Sequence, residues 1–204
     1  VEIASNDGYL LQYLQERGIP CLGIEPTHAT AEAARAKGIT TVARFFGVPL
    51  AEELEPADLI VANNVLAHVP DINDFVAGIA VLLKHQGLAS IECPHLLRLL
   101  AGNQFDTIYH EHYSYLSLSV VQRIAEAAGL AVVDVEELPT HGGSLRLWLA
   151  HQGAREPSDA VESVHAAESG AGLESLKAYV GFQLRAEAAK FGLLEFLLKS
   201  REEG

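Results

Sequence analysis

Short apolar runs alternate with helical patterns over the first two-thirds of the chain, and this alternation restricts the fold more than any other feature. Seven runs are predicted strands, and helical apolar spacing separates most of them. The predicted strands are residues 1–4, 21–24, 40–46, 58–62, 87–93, 130–135 and 144–151. Such alternation predicts an α/β fold in which helices cover both faces of a largely parallel sheet.

The connection between the last two predicted strands, residues 136–143, is short. A parallel crossover needs about a dozen residues or more. We therefore expect the last strand to run antiparallel to a neighbour, either the sixth strand or the fifth. The predicted fold class is α/β, with a doubly wound, Rossmann-like sheet of seven strands and a C-terminal helical extension.

The strand–helix alternation stops after residue 152. Residues 154–172 are rich in Ala, Ser, Glu and Gly and are interpreted as a linker or a weak helix. From Leu173 onward apolar residues recur at helical spacing, which predicts a long amphipathic helix. We therefore divide the chain into a first domain, residues 1–152, and a segment, residues 153–204, that leads into a further domain.

Charge and composition limit the possible partners. A net charge of −13, from 27 acidic and 14 basic residues, disfavours general binding to nucleic acid. No apolar run reaches the roughly 18 residues of a membrane-spanning helix, so none is expected. The acidic balance is typical of a soluble, cytoplasmic protein, which we expect here. Cys21 and Cys93 lack metal-ligand spacing, and we predict no metal site. The chain has no Met, and we expect it to be a fragment of a longer protein.

Residues 2–8 join the first strand to the first helix, which is the cofactor position of doubly wound folds. The dinucleotide pattern G-x-G-x-x-G is absent, because only Gly8 is present; this disfavours nicotinamide cofactors. S-adenosylmethionine has no phosphate and needs fewer glycines. Asp7 is placed to bind its ammonium group and Glu25 its ribose hydroxyls. The alternative is an ordinary turn in which Asn6 and Asp7 cap a helix.

Other polar and aromatic residues near the predicted sheet edge are candidates for the same site. Phe46 is interpreted either as a wall for adenine or as a core residue. Asn63 and Asn64 follow the fourth strand, close to the methionine part of such a cofactor, or are a polar strand end. The predicted cofactor-binding residues are Ala4, Ser5, Asn6, Asp7, Gly8, Glu25, Phe46, Asn63 and Asn64.

Five motifs together are similar to a known family: residues 2–8, 23–26, 62–71, 105–112 and 138–143. With them the chain resembles class I S-adenosylmethionine-dependent methyltransferases, and more narrowly the C-methyltransferases of nucleotide-linked keto-deoxysugars. The resemblance implies that the parent protein also has an N-terminal zinc-binding domain and a C-terminal domain that helps hold the nucleotide-sugar. This chain is then the central catalytic domain.

Residues 109–112, Tyr-His-Glu-His, follow the fifth strand at the edge where ligands of open α/β sheets bind. A metal site is disfavoured, because the spacing is not His-Glu-x-x-His and no third ligand is evident. Loop residues with a purely structural role are the other alternative. Methylation of a carbon needs a base that removes a proton beside a ketone, and His is the usual base near neutral pH.

The resemblance assigns roles to these residues. His112 matches the general base proposed for the family, and Tyr109 and Glu111 match its companions in the site. We expect Glu111 to orient an imidazole and Tyr109 to stabilise an enolate oxygen. His68 matches another active-site histidine, whereas His110 receives no role.

The turn before the last strand supplies the predicted substrate-binding residues, His141 and Gly142. A glycine lets a ligand approach the backbone closely, although a turn with positive φ explains it equally well. The other histidines have no such surroundings and are expected to be surface or core residues: His28, His85, His95, His151 and His165.

The sequence therefore predicts an S-adenosylmethionine-dependent C-methyltransferase that acts through an enolate on a nucleotide-linked keto-deoxysugar, in deoxysugar biosynthesis. One alternative is an O- or N-methyltransferase of another small molecule. A second alternative is a methyltransferase fold without catalytic activity.

Overall fold

The structure is a computed structural model that describes residues 1–203. Its centre is a single sheet of seven strands, in the order β3-β2-β1-β4-β5-β7-β6. The strands are β1 Glu2–Ile3, β2 Gly23–Ile24, β3 Thr41–Val42, β4 Ala57–Asn63, β5 Leu83–Pro94, β6 Leu130–Leu138 and β7 Ser144–His151. The predicted fold class is confirmed.

The first five strands pair in parallel, and β7 pairs antiparallel with both β5 and β6. In these pairs Ile91 lies opposite Leu147, and Leu147 lies opposite Val135. The prediction of an antiparallel last strand is therefore confirmed. The sequence left either the fifth or the sixth strand as its partner, and β7 pairs with both. The order of the first four strands reverses at β1 and β4, where doubly wound folds bind their ligands.

Within the described residues, eight α-helices surround the sheet or extend from it. They are α1 Leu11–Gln15, α2 His28–Ala36, α3 Val48–Ala51, α4 Ile72–Leu82, α5 Leu96–Ala101, α6 Leu118–Ala127, α7 Asp159–Gly170 and α8 Phe182–Glu202. Asp71 caps α4, because its carboxylate accepts a hydrogen bond from the Asp74 amide at 3.0 Å. Ser117 caps α6, because its hydroxyl accepts a hydrogen bond from the Val120 amide at 3.3 Å.

Apolar side chains of the central strands form the main core. Ile60, Ile91 and Leu147, from β4, β5 and β7, are completely buried against helices such as α4 and α6. A second, small cluster contains Leu11, Ala34 and Ile39 and lies beneath α1 and α2. The predicted third strand is shorter than expected: β3 pairs over two residues, and the chain leaves the sheet before Phe46.

The segment after β7 is helical over much of its length, which is one of its two interpretations. The region interpreted as a linker or weak helix contains α7, which packs on β6 and α6. Its buried residues Val161, Val164 and Glu168 recur at helical spacing, although the Ala- and Ser-rich composition conceals this pattern.

The long helix predicted from Leu173 begins only at Phe182, because Gly181 adopts a left-handed conformation with φ 88°. Leu184, Phe191, Leu194 and Leu198 lie on one side of α8 at 100° per residue, as the predicted stripe requires. Further exposed apolar residues, Leu193, Phe196 and Leu197, lie on the other sides, so the helix as a whole is not amphipathic. Among residues 1–203, no helix is long and apolar enough to cross a membrane.

Candidate active site

A cavity of about 430 Å³ opens at the C-terminal edge of the parallel strands. Three irregular segments build it: the 3₁₀ turn after β4, the long connection between α5 and α6, and the turn between β6 and β7. Its lining contains six of the predicted site residues, Asn64, His68, Tyr109, His112, His141 and Gly142. Residues that the sequence analysis did not select also line it, among them Gln104, Asp106, Thr107, Ser114 and Tyr115.

His112 is held in one orientation by the backbone. Its Nδ1 lies 2.8 Å from the carbonyl oxygen of Thr107. A carbonyl only accepts, so Nδ1 carries a hydrogen and Nε2 of the neutral ring keeps its lone pair. Among the described residues Nε2 has no hydrogen-bond partner. The ring is therefore prepared to take up a proton at Nε2.

The orienting group differs from the one that the sequence suggested. We expected the Glu111 carboxylate to orient an imidazole, but a backbone carbonyl, that of Thr107, does so for His112. Glu111 instead contributes its own carbonyl, which accepts a hydrogen bond from Nδ1 of His68 at 3.1 Å. The Glu111 side chain is exposed and is not part of the cavity lining. A role for its carboxylate stays a prediction.

The two loops that carry the histidines are tied together through Ala67. Its carbonyl accepts hydrogen bonds from the amides of Tyr113 and Ser114, at 2.8 and 3.2 Å. As a result, the His68 and His112 rings lie 4.7 Å apart between centroids. Tyr109 lies 4.3 Å from His112, also between ring centroids. The structure thus brings together three of the four predicted catalytic side chains.

Tyr115 is a site residue that the sequence analysis missed. Its ring meets the His112 ring edge-on, with ring centroids 5.9 Å apart. Tyr115 also lines the cavity. The only available signal was its position three residues after His112, within a loop rich in tyrosine. Thr107 gave no signal, because its contribution is a backbone carbonyl.

The turn between β6 and β7 places His141 and Gly142 at the cavity. His141 has φ 53° and Gly142 φ 78°, both left-handed. The Gln104 side-chain amide donates to the Gly142 carbonyl at 2.8 Å, and Thr140 donates to the buried Glu92 at 2.9 Å. A Cβ at position 142 would collide with Gln104. The left-handed φ favours glycine at position 142, and a Cβ there would displace the end of the Gln104 side chain.

The loop after β1 has an unusual backbone. Ala4, Asn6 and Gly8 all adopt left-handed conformations, with φ 57°, 50° and 77°. Residues other than glycine rarely do so, and such conformations cluster at ligand sites. A Cβ on Gly8 would collide with Ile39. The loop is therefore more strained than the ordinary capping turn that was the alternative.

Glu25 holds this loop in place. The carboxylate is buried at the end of β2 and accepts hydrogen bonds from the amides of Asn6 (3.2 Å) and Thr27 (2.8 Å). Each carboxylate oxygen has a second lone pair, so Glu25 keeps acceptor capacity for a ribose hydroxyl. Asp7 forms an ion pair with Lys37 at 2.6 Å. The hydrogen bond from Lys37 lowers the pKa of Asp7, so this carboxylate is ionised at neutral pH.

Several buried polar atoms around the loop have no hydrogen-bond partner. They are Oε2 of Glu2, Oγ of Ser5 and Oδ1 of Asn64. An unpaired buried acceptor is costly, and a ligand with donor groups removes that cost. The ammonium and hydroxyl groups of S-adenosylmethionine are such donors, so the residues present fit this cofactor.

Glu2 belongs to the first motif, residues 2–8, but is not among the predicted site residues. Burial raises the pKa of its carboxyl to about 7. A sequence signal existed, since an acidic residue in an otherwise apolar strand is unusual. The structure places Glu2 at the start of β1, which pairs with β4, the strand that Asn64 follows.

Asn63 and Phe46, two predicted cofactor-binding residues, lie in different surroundings. Asn63 is exposed at the end of β4 and does not line the cavity. Phe46 is half-buried and packs edge-on against Phe75, with ring centroids 5.4 Å apart. Core packing, one of the two interpretations of Phe46, is thus observed, and contact with adenine stays a prediction.

Among residues 1–203, no group of three or more His, Cys, Asp or Glu side chains is arranged to hold a metal ion.

Together, the sheet order, the strained loop after β1 and the acidic residue after β2 define the class of S-adenosylmethionine-dependent methyltransferases. The chain belongs to the methyltransferase-domain family. The model described as "Methyltransferase domain" matches residues 1–135, and that described as "C-methyltransferase C-terminal domain" matches residues 139–204. The family resemblance expected from the sequence is confirmed.

A curated relative is the C-methyltransferase NovU of Streptomyces niveus. It is 35% identical over 202 residues, which is 97% of this chain and 48% of the relative. The chain thus spans about half the length of this relative.

Solved methyltransferase structures share the fold. Magnesium protoporphyrin IX methyltransferase ChlM from Synechocystis PCC 6803, with bound SAH, superposes with a TM-score of 0.60 at 15% identity, over 74% of this chain and 73% of that chain. The plantazolicin methyltransferase BamL superposes with a TM-score of 0.58 at 13% identity, over 74% of this chain and 75% of that chain.

Proposed function

We propose that this chain is the catalytic domain of an S-adenosylmethionine-dependent C-methyltransferase. In this proposal it methylates the carbon beside the ketone of a nucleotide-linked keto-deoxysugar. The observation that carries the proposal is His112: Thr107 fixes its tautomer, so that Nε2 is the free base beside the cavity. The relative NovU and the C-methyltransferase C-terminal model support carbon as the methyl acceptor.

The cofactor is proposed to lie along the loop after β1. Glu25 accepts from the ribose, Asp7 attracts the ammonium group, and Asn64 offers its unpaired Oδ1. Asn64 also lines the cavity, so the cofactor and substrate regions meet at this residue. The bound cofactor supplies an electrophilic methyl group on a sulfonium.

The chain's own residues perform the proton chemistry. Nε2 of His112 removes the proton beside the ketone, and the resulting enolate carbon is the nucleophile. The Tyr109 hydroxyl donates a hydrogen bond to the enolate oxygen, which carries the developing charge. His68 lies next to the His112 ring and donates its own Nδ1 hydrogen to the Glu111 carbonyl. A backbone carbonyl therefore orients each of the two rings through Nδ1.

Apolar residues form much of the remaining cavity wall, namely Pro94, Leu96, Leu99 and Leu116. They exclude water and thereby strengthen the interactions with the enolate oxygen. A volume of about 430 Å³ is within the range for a small-molecule site and suits a single sugar ring.

The nucleotide part is proposed to extend out of this cavity towards further domains of the parent protein. As the family resemblance implies, these are an N-terminal zinc-binding domain and a C-terminal domain that helps hold the nucleotide. The acidic net charge of −13 supports a cytoplasmic enzyme, with no nucleic-acid partner. The division at residue 152 stays a proposal as well.

Deuterium exchange tests the mechanism directly. The full-length protein is incubated in heavy water with nucleoside diphosphate-linked keto-deoxysugars and without cofactor, and deuterium at the carbon beside the ketone is measured by mass spectrometry. Only enolate formation predicts incorporation before methyl transfer. Methyl transfer to oxygen or nitrogen without this exchange would support the alternative methyltransferase. Absence of both exchange and S-adenosylhomocysteine binding would support a catalytically silent domain.

A further inference from the structure

Helix α7 delivers one carboxylate, that of Glu168, into the interior of the protein. Glu168 is 1% exposed and accepts four hydrogen bonds. The main-chain amides of Leu118 and Ser119 donate at 2.6 and 3.0 Å, the Ser119 hydroxyl donates a short hydrogen bond, and Nε2 of His95 donates at 2.8 Å. Four donors match the acceptor capacity of a carboxylate, so the group is fully satisfied.

One of these donors, His95, sits within the cavity wall. His95 is 1% exposed, and both of its neighbours in the chain, Pro94 and Leu96, line the cavity. Its amide donates to the Gly143 carbonyl at 3.0 Å. Gly143 directly follows Gly142, which also lines the cavity. Through His95, Glu168 therefore supports the end of β5 and the turn before β7.

The other donors belong to the start of α6. The preceding residues Ser114, Tyr115 and Leu116 line the cavity on the side of His112. The Leu116 carbonyl accepts the Leu96 amide at 2.8 Å, which joins this segment to the one that carries His95. The end of β5 and the start of α6 thus meet at the Glu168 carboxylate, which does not itself line the cavity, and the turn before β7 is joined to them through His95.

The electrostatic environment keeps this carboxylate charged. Burial alone raises the pKa of Glu168, but the hydrogen bonds from His95, from Ser119 and from the two amides outweigh burial and lower it to about 2. The positive end of the α6 dipole acts in the same direction. Among the described residues, Nδ1 of His95 has no hydrogen-bond partner, and its nearest acidic neighbour is the Glu137 carboxylate at 3.9 Å.

We propose that Glu168 is a positioning residue for the substrate: by binding His95 and the start of α6, it fixes the wall that faces His112. This inference rests on the proposed function, since it assigns the cavity to the substrate. Within residues 1–203, the hydrogen-bond partners of Glu168 are His95, Leu118 and Ser119, none of which belongs to the loop after β1. Its loss should therefore affect the substrate and leave cofactor binding intact.

The test is Glu168→Gln in the full-length protein, with Glu162→Gln as the matched control. Glu162 lies on the same helix and is exposed. Glutamine keeps the size of the side chain but replaces one carboxylate oxygen by an NH₂ group. This group is a donor and would face the N–H and O–H donors that surround Glu168. We expect KM for the keto-sugar in the exchange reaction to rise roughly tenfold or more. The S-adenosylhomocysteine Kd and the control's KM should be unchanged.

A purely structural role is separated by two further measurements. Amide hydrogen exchange should accelerate at Leu96, Leu118 and Ser119 in Glu168→Gln but not in the control. Ser119→Ala removes a single hydrogen bond and should raise KM more mildly in a protein that still folds. An unchanged KM in both variants, or KM and the S-adenosylhomocysteine Kd rising together, would overturn the positioning role.

Failure of the proposed function has a different outcome. In that case the wild-type protein itself exchanges no substrate proton, whichever residue stands at position 168. The amide-exchange comparison then decides alone whether Glu168 holds the cavity wall in place.

Discussion

The imidazole rings of His68 and His112 lie 4.7 Å apart, yet each is oriented by a different backbone carbonyl. Glu111 accepts from His68, and Thr107 accepts from His112. Neither histidine depends on the other for its orientation. Substitution of one ring should therefore leave the tautomer of the other unchanged, which allows their roles to be separated by mutation.

Replacement of His112 by Ala should abolish proton removal and spare the cofactor site. We expect the rate of deuterium exchange at the substrate carbon to fall roughly 10²- to 10⁴-fold, the usual contribution of a general base. S-adenosylhomocysteine affinity, measured by calorimetry, should be unchanged. The control is His110→Ala, because His110 is exposed and does not line the cavity. Equal losses in both variants would refute the assignment of the base.

Replacement of Glu25 by Gln should weaken cofactor binding. The variant keeps one acceptor oxygen, whereas the wild-type carboxylate uses both oxygens for Asn6 and Thr27. A hydrogen bond to a charged group contributes roughly 1.5–3 kcal/mol, so S-adenosylhomocysteine affinity should fall roughly tenfold to a hundredfold. Glu16→Gln, at an exposed position just after α1, is the control. If the two variants bind equally well, Glu25 does not hold the cofactor.

Glu2 should make stability depend on pH near neutrality. Burial raises its folded pKa from the ordinary 4.5 to about 7, so the folded protein retains a proton that the unfolded chain has already lost. The free energy of unfolding should therefore decrease as pH rises from about 4.5 to 7, by roughly 3 kcal/mol at most. Urea unfolding at pH 5 and pH 8 should show this decrease in wild type and not in Glu2→Gln. Identical pH profiles would contradict the prediction.

Glu168 should have the opposite effect in acid. Its folded pKa of about 2 lies below the ordinary 4.5, so its stabilisation is complete above about pH 4.5 and is lost as pH falls towards 2. Wild type should lose up to roughly 3 kcal/mol over this range. Glu168→Gln should be less stable at neutral pH and lose less on acidification, as followed by circular dichroism. Glu162→Gln should behave like wild type; if Glu168→Gln does so too, the buried network contributes no stability.

The sheet and its edge were predictable because they follow from local patterns. Alternating apolar runs located all seven strands, and the short loop before β7 predicted its direction. The family resemblance selected His68, Tyr109 and His112, which the structure brings together. The carboxyl ends of parallel strands meet at one edge, so residues there share a site whatever their separation in sequence.

The parts that sequence reasoning missed depend on backbone groups and on distant residues. A carbonyl such as that of Thr107 is present at every position, so no residue type marks its role. His95 and Glu168 are 73 residues apart. His95 was expected to be an ordinary surface or core residue, and Glu168 lies in a segment interpreted as a linker or weak helix. Only the packing of α7 on β6 and α6 reveals their hydrogen bond.

The position of Glu168 on α7 has a consequence for dissecting the protein. A truncation after His151 would keep every strand of the sheet and look complete on a topology diagram. It would nevertheless remove the acceptor for the Leu118 and Ser119 amides and for His95, leaving buried donors without partners. The smallest autonomous folding unit should therefore extend to Gly170. It includes α7, although the last strand of the sheet ends at His151.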